Sequence, residues 1–185
     1  MATTLSTFKT ALKFGGARPS LFDVTISKPS ALTDDIVNMK TQCNVSAIPP
    51  LTVTPIERQY FGRTVKIPGD MVFGDLSTTI INTEDFSVRS PLEQWMDKIN
   101  STSDNYGYAD SSSGFGSVTL TQYDKEGKSL LTWTFEDCWP QTISEIALSY
   151  DTASDIEQFD VTWAYNYYTQ AKGAVTTASS LAKQD

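Results

Sequence analysis

Between Gln158 and Tyr167 the chain alternates residue by residue, with Phe159, Val161, Trp163, Tyr165 and Tyr167 interleaved by Gln158, Asp160, Thr162, Ala164 and Asn166. Side chains repeat every second residue along an extended strand, so this pattern puts five bulky groups on one face and five small or polar groups on the other. A helix would scatter the same aromatics around its circumference. The segment therefore has to be a strand with one face covered, and the rest of the chain has to supply the cover.

Much of it is patterned to do so. Phe22, Val24 and Ile26 alternate inside a first strand expected from Pro19 to Lys28, and Leu131, Trp133 and Phe135 do the same within Leu130 to Asp137. The latter pairs with Val118 to Lys125 across Glu126-Gly127, a hairpin signal. Extended runs are also expected from Ile36 to Ile48, ended by Pro49 and Pro50, and from Val72 to Asn82 after a turn at Pro68-Gly69-Asp70. A short strand, Ile146 to Tyr150, is expected after a turn at Trp139-Pro140. Leu51 to Tyr60 and Arg63 to Pro68 flank Phe61-Gly62 and read as a hairpin that projects as an arm, because Pro55 suits an edge better than a sheet centre.

One helix is expected from Ser90, with Pro91 at its first position, Glu93 placed for a capping box, and Leu92, Trp95, Met96 and Ile99 along one apolar stripe. Ser101 to Ser117 reads as an exposed polar loop. The expected class is mainly β (α+β), a sandwich or open barrel of about eight strands with one flanking helix. Its domain should span 17–170, with an N-terminal arm at 1–16 and a C-terminal tail at 171–185.

Several chemistries are disfavoured. The chain has no histidine, which removes Ser-His-Asp and Cys-His nucleophile systems and the usual zinc sets. Two cysteines, Cys43 and Cys138, make no disulfide framework and are expected as buried free thiols. Fourteen basic against 22 acidic residues give a net charge of −8, which opposes tight, sequence-independent wrapping of phosphate without excluding DNA as a neighbour that is repelled and not held. No run approaches the roughly 18 apolar residues of a membrane helix. Met1 to Gly16 carries Lys9 and Lys13 without an apolar stretch ahead of a cleavage site, which argues against a secretory signal.

Gly15-Gly16-Ala17-Arg18-Pro19-Ser20 lacks the lysine and the strand-to-helix setting of a phosphate loop. Asp104, Asn105 and Asp110 lack the spacing and final glutamate of a calcium loop. Asn44-Val45-Ser46 and Asn100-Ser101-Thr102 match the glycosylation pattern, a match common by chance. Tyr106, Tyr108 and Phe115 could stack on a sugar or a base, although aromatics in such a loop more often pin it to the domain. No catalytic, cofactor-binding or metal-ligating residues are expected, and the chain does not read as an enzyme.

The ordered segments Ala17-Arg18-Pro19-Ser20-Leu21-Phe22-Asp23-Val24, Gln42-Cys43 with Ala47-Ile48-Pro49, and Val65-Lys66-Ile67-Pro68-Gly69-Asp70 before Phe73 go together with three later ones. These are Leu92-Glu93-Gln94-Trp95, Cys138-Trp139-Pro140-Gln141 and Ile156-Glu157-Gln158-Phe159-Asp160-Val161-Thr162. Together, from Ala17 to Tyr168, they resemble the tail tube protein of contractile-tailed bacteriophages, a family related to the tube proteins of type VI secretion. The loop at Ser101 to Ser117 and the tail from Ala171 fall outside that pattern.

The resemblance implies hexameric rings stacked into a tube inside a contractile sheath, a conduit for DNA in the virion tail, assembled in the host cytoplasm. It implies as partners further copies of the chain, the sheath protein, baseplate tube-initiating proteins, a tail terminator and a tape measure protein, with no membrane and no specific DNA binding. On that reading the proline-bounded arm from Ile48 to Arg63 becomes the stacking element through Leu51, Val53, Ile56, Arg58, Tyr60 and Phe61. The polar face of the last strand, Gln158, Asp160, Thr162 and Asn166, becomes a candidate lumen lining, the alternative being an ordinary outer surface. A tube protein of a secretion or injection system, or a carbohydrate-binding β-sandwich, are the other readings.

Overall fold

The computed structural model describes residues 5–11, 16–30, 32–33, 35–36, 38–104, 106–107, 111–152 and 155–173. In chain order the elements are α1 (Leu5–Ala11), β1 (Phe22–Ser27), α2 (Met39–Gln42), β2 (Cys43–Ser46), β3 (Leu51–Tyr60), β4 (Arg63–Phe73), β5 (Leu76–Ile81) and α3 (Arg89–Ile99). They continue as β6 (Gly116–Tyr123), β7 (Ser129–Ile143), β8 (Gln158–Ala164) and β9 (Tyr167–Lys172). The fold is mainly β, as the alternation requires.

All pairing among these strands is antiparallel; β3 and β4 form a sheet of their own, and the other seven strands fall into two layers that share β7. Ser129 to Glu136 of β7 lies between β6 and β9, with β1 outside β6, while Trp139 to Ile143 pairs with β8, followed by β5 and β2. The crossing is made at Asp137, whose backbone sits at φ 52, and the register of β6 against β7 shifts there. A bulge that re-aims a strand is how a corner between sheets is turned.

The two inner faces make one core. Val24, Val118, Leu120, Trp133 and Phe135 come from one layer, Leu76, Ile80, Phe159, Val161 and Trp163 from the other, and α3 adds Leu92 and Trp95. The rings of Trp95 and Trp163 lie 5.9 Å apart. Both are fully buried, so each indole N–H needs an acceptor. Trp95 Nε1 donates to the Gly114 carbonyl at 2.8 Å and Trp163 Nε1 to Thr78 Oγ1 at 2.9 Å. Gly116 is obligatory beside them, because a Cβ there would stand 2.5 Å from the Ser27 carbonyl and 2.7 Å from the Trp95 ring.

Several expected elements are corrected. Ile36 to Ile48 is not one extended run: Asn38 turns the chain at φ 67, α2 buries Met39 and Gln42, and only Cys43 to Ser46 is strand. Ser90 does not cap α3, which starts at Arg89 after Val88 with no side-chain cap, and Glu93 instead accepts from Arg89 Nε at 2.8 Å. Pro68-Gly69-Asp70 is not a turn but a bulge inside β4, opposite Val53 to Pro55. Its glycine allows the Thr54 carbonyl to come within 2.5 Å of where a Cβ would be. The run Val72 to Asn82 is divided at Gly74-Asp75.

Trp139-Pro140 lies within β7 rather than in a turn, with the register shift after Pro140 accommodating its missing donor. Ile146 to Tyr150 forms no strand. The terminal alternation holds only to Tyr165; a break at Tyr165-Asn166 starts β9, where Tyr168 packs on the core and Tyr167 turns outward. The polar loop after α3 is shorter than expected, since Asn100 bridges to Gly107 and β6 begins at Gly116. Phe115 stacks on Trp139 at 5.3 Å and so pins the loop, Tyr106 is exposed, and Tyr108, Asn105 and Asp110 lie outside the described residues. Of the expected tail, Ala171 and Lys172 complete β9 and 174–185 lie outside the described residues.

Both cysteines are free, and burial pushes each thiol up to about 12; burial also pushes the Tyr165 phenol up to about 12. The folded chain thus holds protons that the unfolded chain releases from about pH 9 upward. Stability is full below that pH and falls as pH rises from about 9 toward 12. Denaturant midpoints measured across this range should decline; Cys43, expected buried, is only half-buried, whereas a thiol reagent at neutral pH should reach the fully buried Cys138 only once the chain unfolds.

Candidate functional site

The β3–β4 hairpin forms a separate two-stranded sheet that leaves the body after Pro49-Pro50 and returns at Phe73. Every residue of β3 is exposed, and an isolated hairpin is at best marginally stable in water. Its cross-strand pairs define its faces. Ile56↔Ile67, Arg58↔Val65 and Tyr60↔Arg63 share one side, while Glu57↔Lys66, Gln59↔Thr64 and Pro55↔Pro68 share the other.

The second side is satisfied within itself: Lys66 Nζ meets Glu57 Oε1 at 3.2 Å and Gln59 Nε2 donates to Thr64 Oγ1 at 3.1 Å. The first is not. Ile56, Val65 and Ile67 stay about half exposed, and neither Arg58 nor Arg63 forms an ion pair among the described residues. Covering such aliphatic side chains is worth about 1 kcal/mol each. Near the root, Leu51, Val53 and Met71 form a further exposed apolar strip on the opposite side of the bulge.

Phe61 sits at the tip, at φ 43, followed by Gly62 at φ 79. Two positive φ angles suit a two-residue hairpin turn, but a phenylalanine there costs about 1–2 kcal/mol. Its ring is 90% exposed and touches Tyr60 edge-on at 4.6 Å, a contact worth about 0.5–1.5 kcal/mol, so burial within the subunit adds little to offset that strain. All six expected arm residues therefore lie on the hairpin and face solvent. Val65, Ile67 and Met71 of the return strand belong with them, and their alternation with Lys66 and Pro68 was the available signal.

The outer face of the second layer is different in kind. Gln158, Asp160 and Thr162 project from β8, flanked by Thr79 and Ser77 of β5 and Thr142 of β7. Thr79 Oγ1 donates to Asp160 Oδ1 at 2.6 Å, and Ser144 Oγ accepts from the Asp160 amide at 2.9 Å. Asn166 stands apart at the break before β9, where its Nδ2 donates to Asp137 Oδ2 at 3.1 Å. The outer face of the first layer is also rich in hydroxyls, with Thr119↔Thr134 and Thr121↔Thr132 as cross-strand pairs. The sequence carries that face in the threonines between Val118, Leu120, Leu131, Trp133 and Phe135. Neither set includes a lysine or arginine.

An open depression beside α3, lined by Thr33, Asp35, Asp85, Phe86, Ser87, Ser90 and Pro91, is shallow, and its Asp35 is held by Lys28 at 2.6 Å. Among the described residues no group of three or more histidine, cysteine or acidic side chains converges on one point.

A family model described as phage tail tube protein matches residues 4–171. The tail tube protein gp19 of Enterobacteria phage T4 is 26% identical over 153 residues, covering 82% of this chain and 90% of that protein. The tail tube protein of Serratia phage KSP90 is 28% identical over 160 residues, covering 84% and 90%. Among solved structures, a chain of the sheath–tube complex of an extracellular contractile injection system in its extended state superposes with a TM-score of 0.60 at 16% identity, covering 92% of this chain and 99% of that one.

Proposed function

This chain belongs to the phage tail tube protein family, and from that premise we propose that it assembles as hexameric rings stacked into the conduit through which viral DNA passes at ejection. The arm carries the reading. A strand pair with an apolar and cationic side, a strained exposed phenylalanine at its tip and no cover within the subunit is built to be buried by another molecule. Stacking supplies that burial in every ring.

Closing the free strand edges around a ring likewise turns an aggregation hazard into a continuous wall. The hydroxyl-rich face around Gln158, Asp160 and Thr162 lines the channel on this reading, with Asn166 at its margin. Without lysine or arginine it offers DNA no counterion-releasing contacts, so the duplex slides and is not held. The sheath protein surrounds the tube, baseplate tube-initiating proteins nucleate it, a tail terminator closes it and a tape measure protein occupies it before DNA does. Its place is the virion tail after assembly in the host cytoplasm. The fold shared with an injection-system tube supports a second reading, in which the chain builds the tube of a secretion or injection system.

Negative-stain electron microscopy of the purified chain at rising concentration tests the proposal. Six-fold rings and stacked tubes are expected; a monomer that stays monodisperse at every concentration refutes it.

A further inference from the structure

We infer that residues 144–152 and 155–157, at the far end of the second layer, form the seat that receives the arm of the next copy of this chain. The inference rests on the stacking role given to the arm above and names its partner surface.

The topology places the two surfaces at opposite poles. The arm returns to the body at Phe73 and runs into β5 at Leu76, which pairs with Trp163; the other end of β5, Ile81, pairs with Gln158. The connection from β7 to β8 therefore emerges at the end of the sheet away from the arm root, about 17 Å off at 3.3 Å per residue. A contact between two unlike patches at opposite ends of one molecule repeats indefinitely, as a growing tube requires. The ten residues of β3 give the arm a reach of about 30 Å.

The chemistry of the segment complements the arm. Leu148 is 81% exposed, Ile156 70%, and Tyr150 fully, although the ends of the segment are fastened down. Arg89 Nη1 donates to the Ser144 carbonyl at 3.1 Å, and Asn82 holds Glu157 by its amide to the carbonyl at 2.8 Å and by Nδ2 to Oε2 at 2.9 Å. Apolar side chains that face water from a segment fastened at both ends indicate a missing cover. Glu145, Asp151 and Asp155 make no ion pair among the described residues, and the segment contains no lysine or arginine. Arg58 and Arg63, equally unpaired, stand among Ile56, Tyr60 and Val65 on the arm. Apolar patches of opposite charge fix both attraction and register.

Charge reversal in the full chain tests the assignment, at a concentration where the wild type elongates. Arg58→Glu with Arg63→Glu, and separately Glu145→Lys with Asp151→Lys and Asp155→Lys, should each slow elongation by about tenfold or more. Combining all five in one chain should restore it to within about threefold, because every interface then carries the swapped pair. All five sites are exposed, so melting temperatures should hold. As a second measurement, Tyr60→Cys with Tyr150→Cys should give a covalent ladder when tubes are oxidised.

Wild-type elongation by the arm variant would overturn the stacking role itself. An arm variant that stalls beside a segment variant that elongates normally would keep the arm and refute this seat. A segment variant that elongates but no longer binds sheath would mark it as a sheath contact instead. A five-fold variant as slow as its parents, without a ladder, would also refute the seat.

Discussion

Replacing Trp163 by alanine should lower the melting temperature of the isolated subunit by about 10–20 °C. The side chain is fully buried where both layers and α3 meet, and its removal opens a cavity that strands on either side, held by their ladders, cannot close. Truncating a buried Trp costs about 3–5 kcal/mol, and Thr78 Oγ1 loses the indole donor at 2.9 Å as well. For a chain of this length each kcal/mol moves the midpoint by about 2–4 °C. Trp163→Phe, which fills more of the space, should lose less than half as much. Thermal melts followed by circular dichroism decide the matter: a shift under about 3 °C for the alanine variant would contradict this account of the core.

The second large effect should appear in assembly and leave folding intact. Ile56 and Ile67 are cross-strand partners, so Glu57 to Lys66 can be replaced by Asn-Gly, which closes a two-residue turn without disturbing the root. The excised residues are exposed and belong to a sheet of their own, and the melting temperature should stay within about 3 °C. Elongation should be abolished, leaving rings or monomers under the microscope. Long, regular tubes from this variant would remove the arm from the stacking contact.

How much of this could be read beforehand depended on whether a segment's neighbours in space were also its neighbours in sequence. Strands that bury one face against a core announce it by alternation, which is why β1, β6, β8 and the first half of β7 were legible. The hairpin arm was legible for the opposite reason, because Phe61-Gly62 joins two segments that are neighbours in the sequence and pair with each other. The errors fall where a proline or glycine serves long-range geometry. Pro68-Gly69 and Trp139-Pro140 carry turn chemistry, yet each marks a bulge imposed by the partner strand, and no local signal separates the two.

The surfaces were read unevenly for the same reason. Gln158, Asp160 and Thr162 share a strand, so their common face was visible, whereas Asn166 kept the sequence rhythm but lost the face at the break before β9. The segment from Ser144 to Glu157 was invisible as a surface. Its apolar residues look like those of a buried strand, and only the structure shows that Ile146 packs on the core while Leu148, Tyr150 and Ile156 turn outward.

The strand common to both layers bears on how the subunit carries load. Hydrogen bonds in an antiparallel ladder stand perpendicular to the strands, so a pull along β7 strains many of them at once and in shear, where a pull across it would unzip them singly. Because β6 and β9 grip one half of β7 and β8 grips the other, tension along β7 entering one layer passes directly into the second through covalent backbone. The subunit is therefore stiff along β7, and in the stacked rings proposed above the contacts between copies would yield before it does.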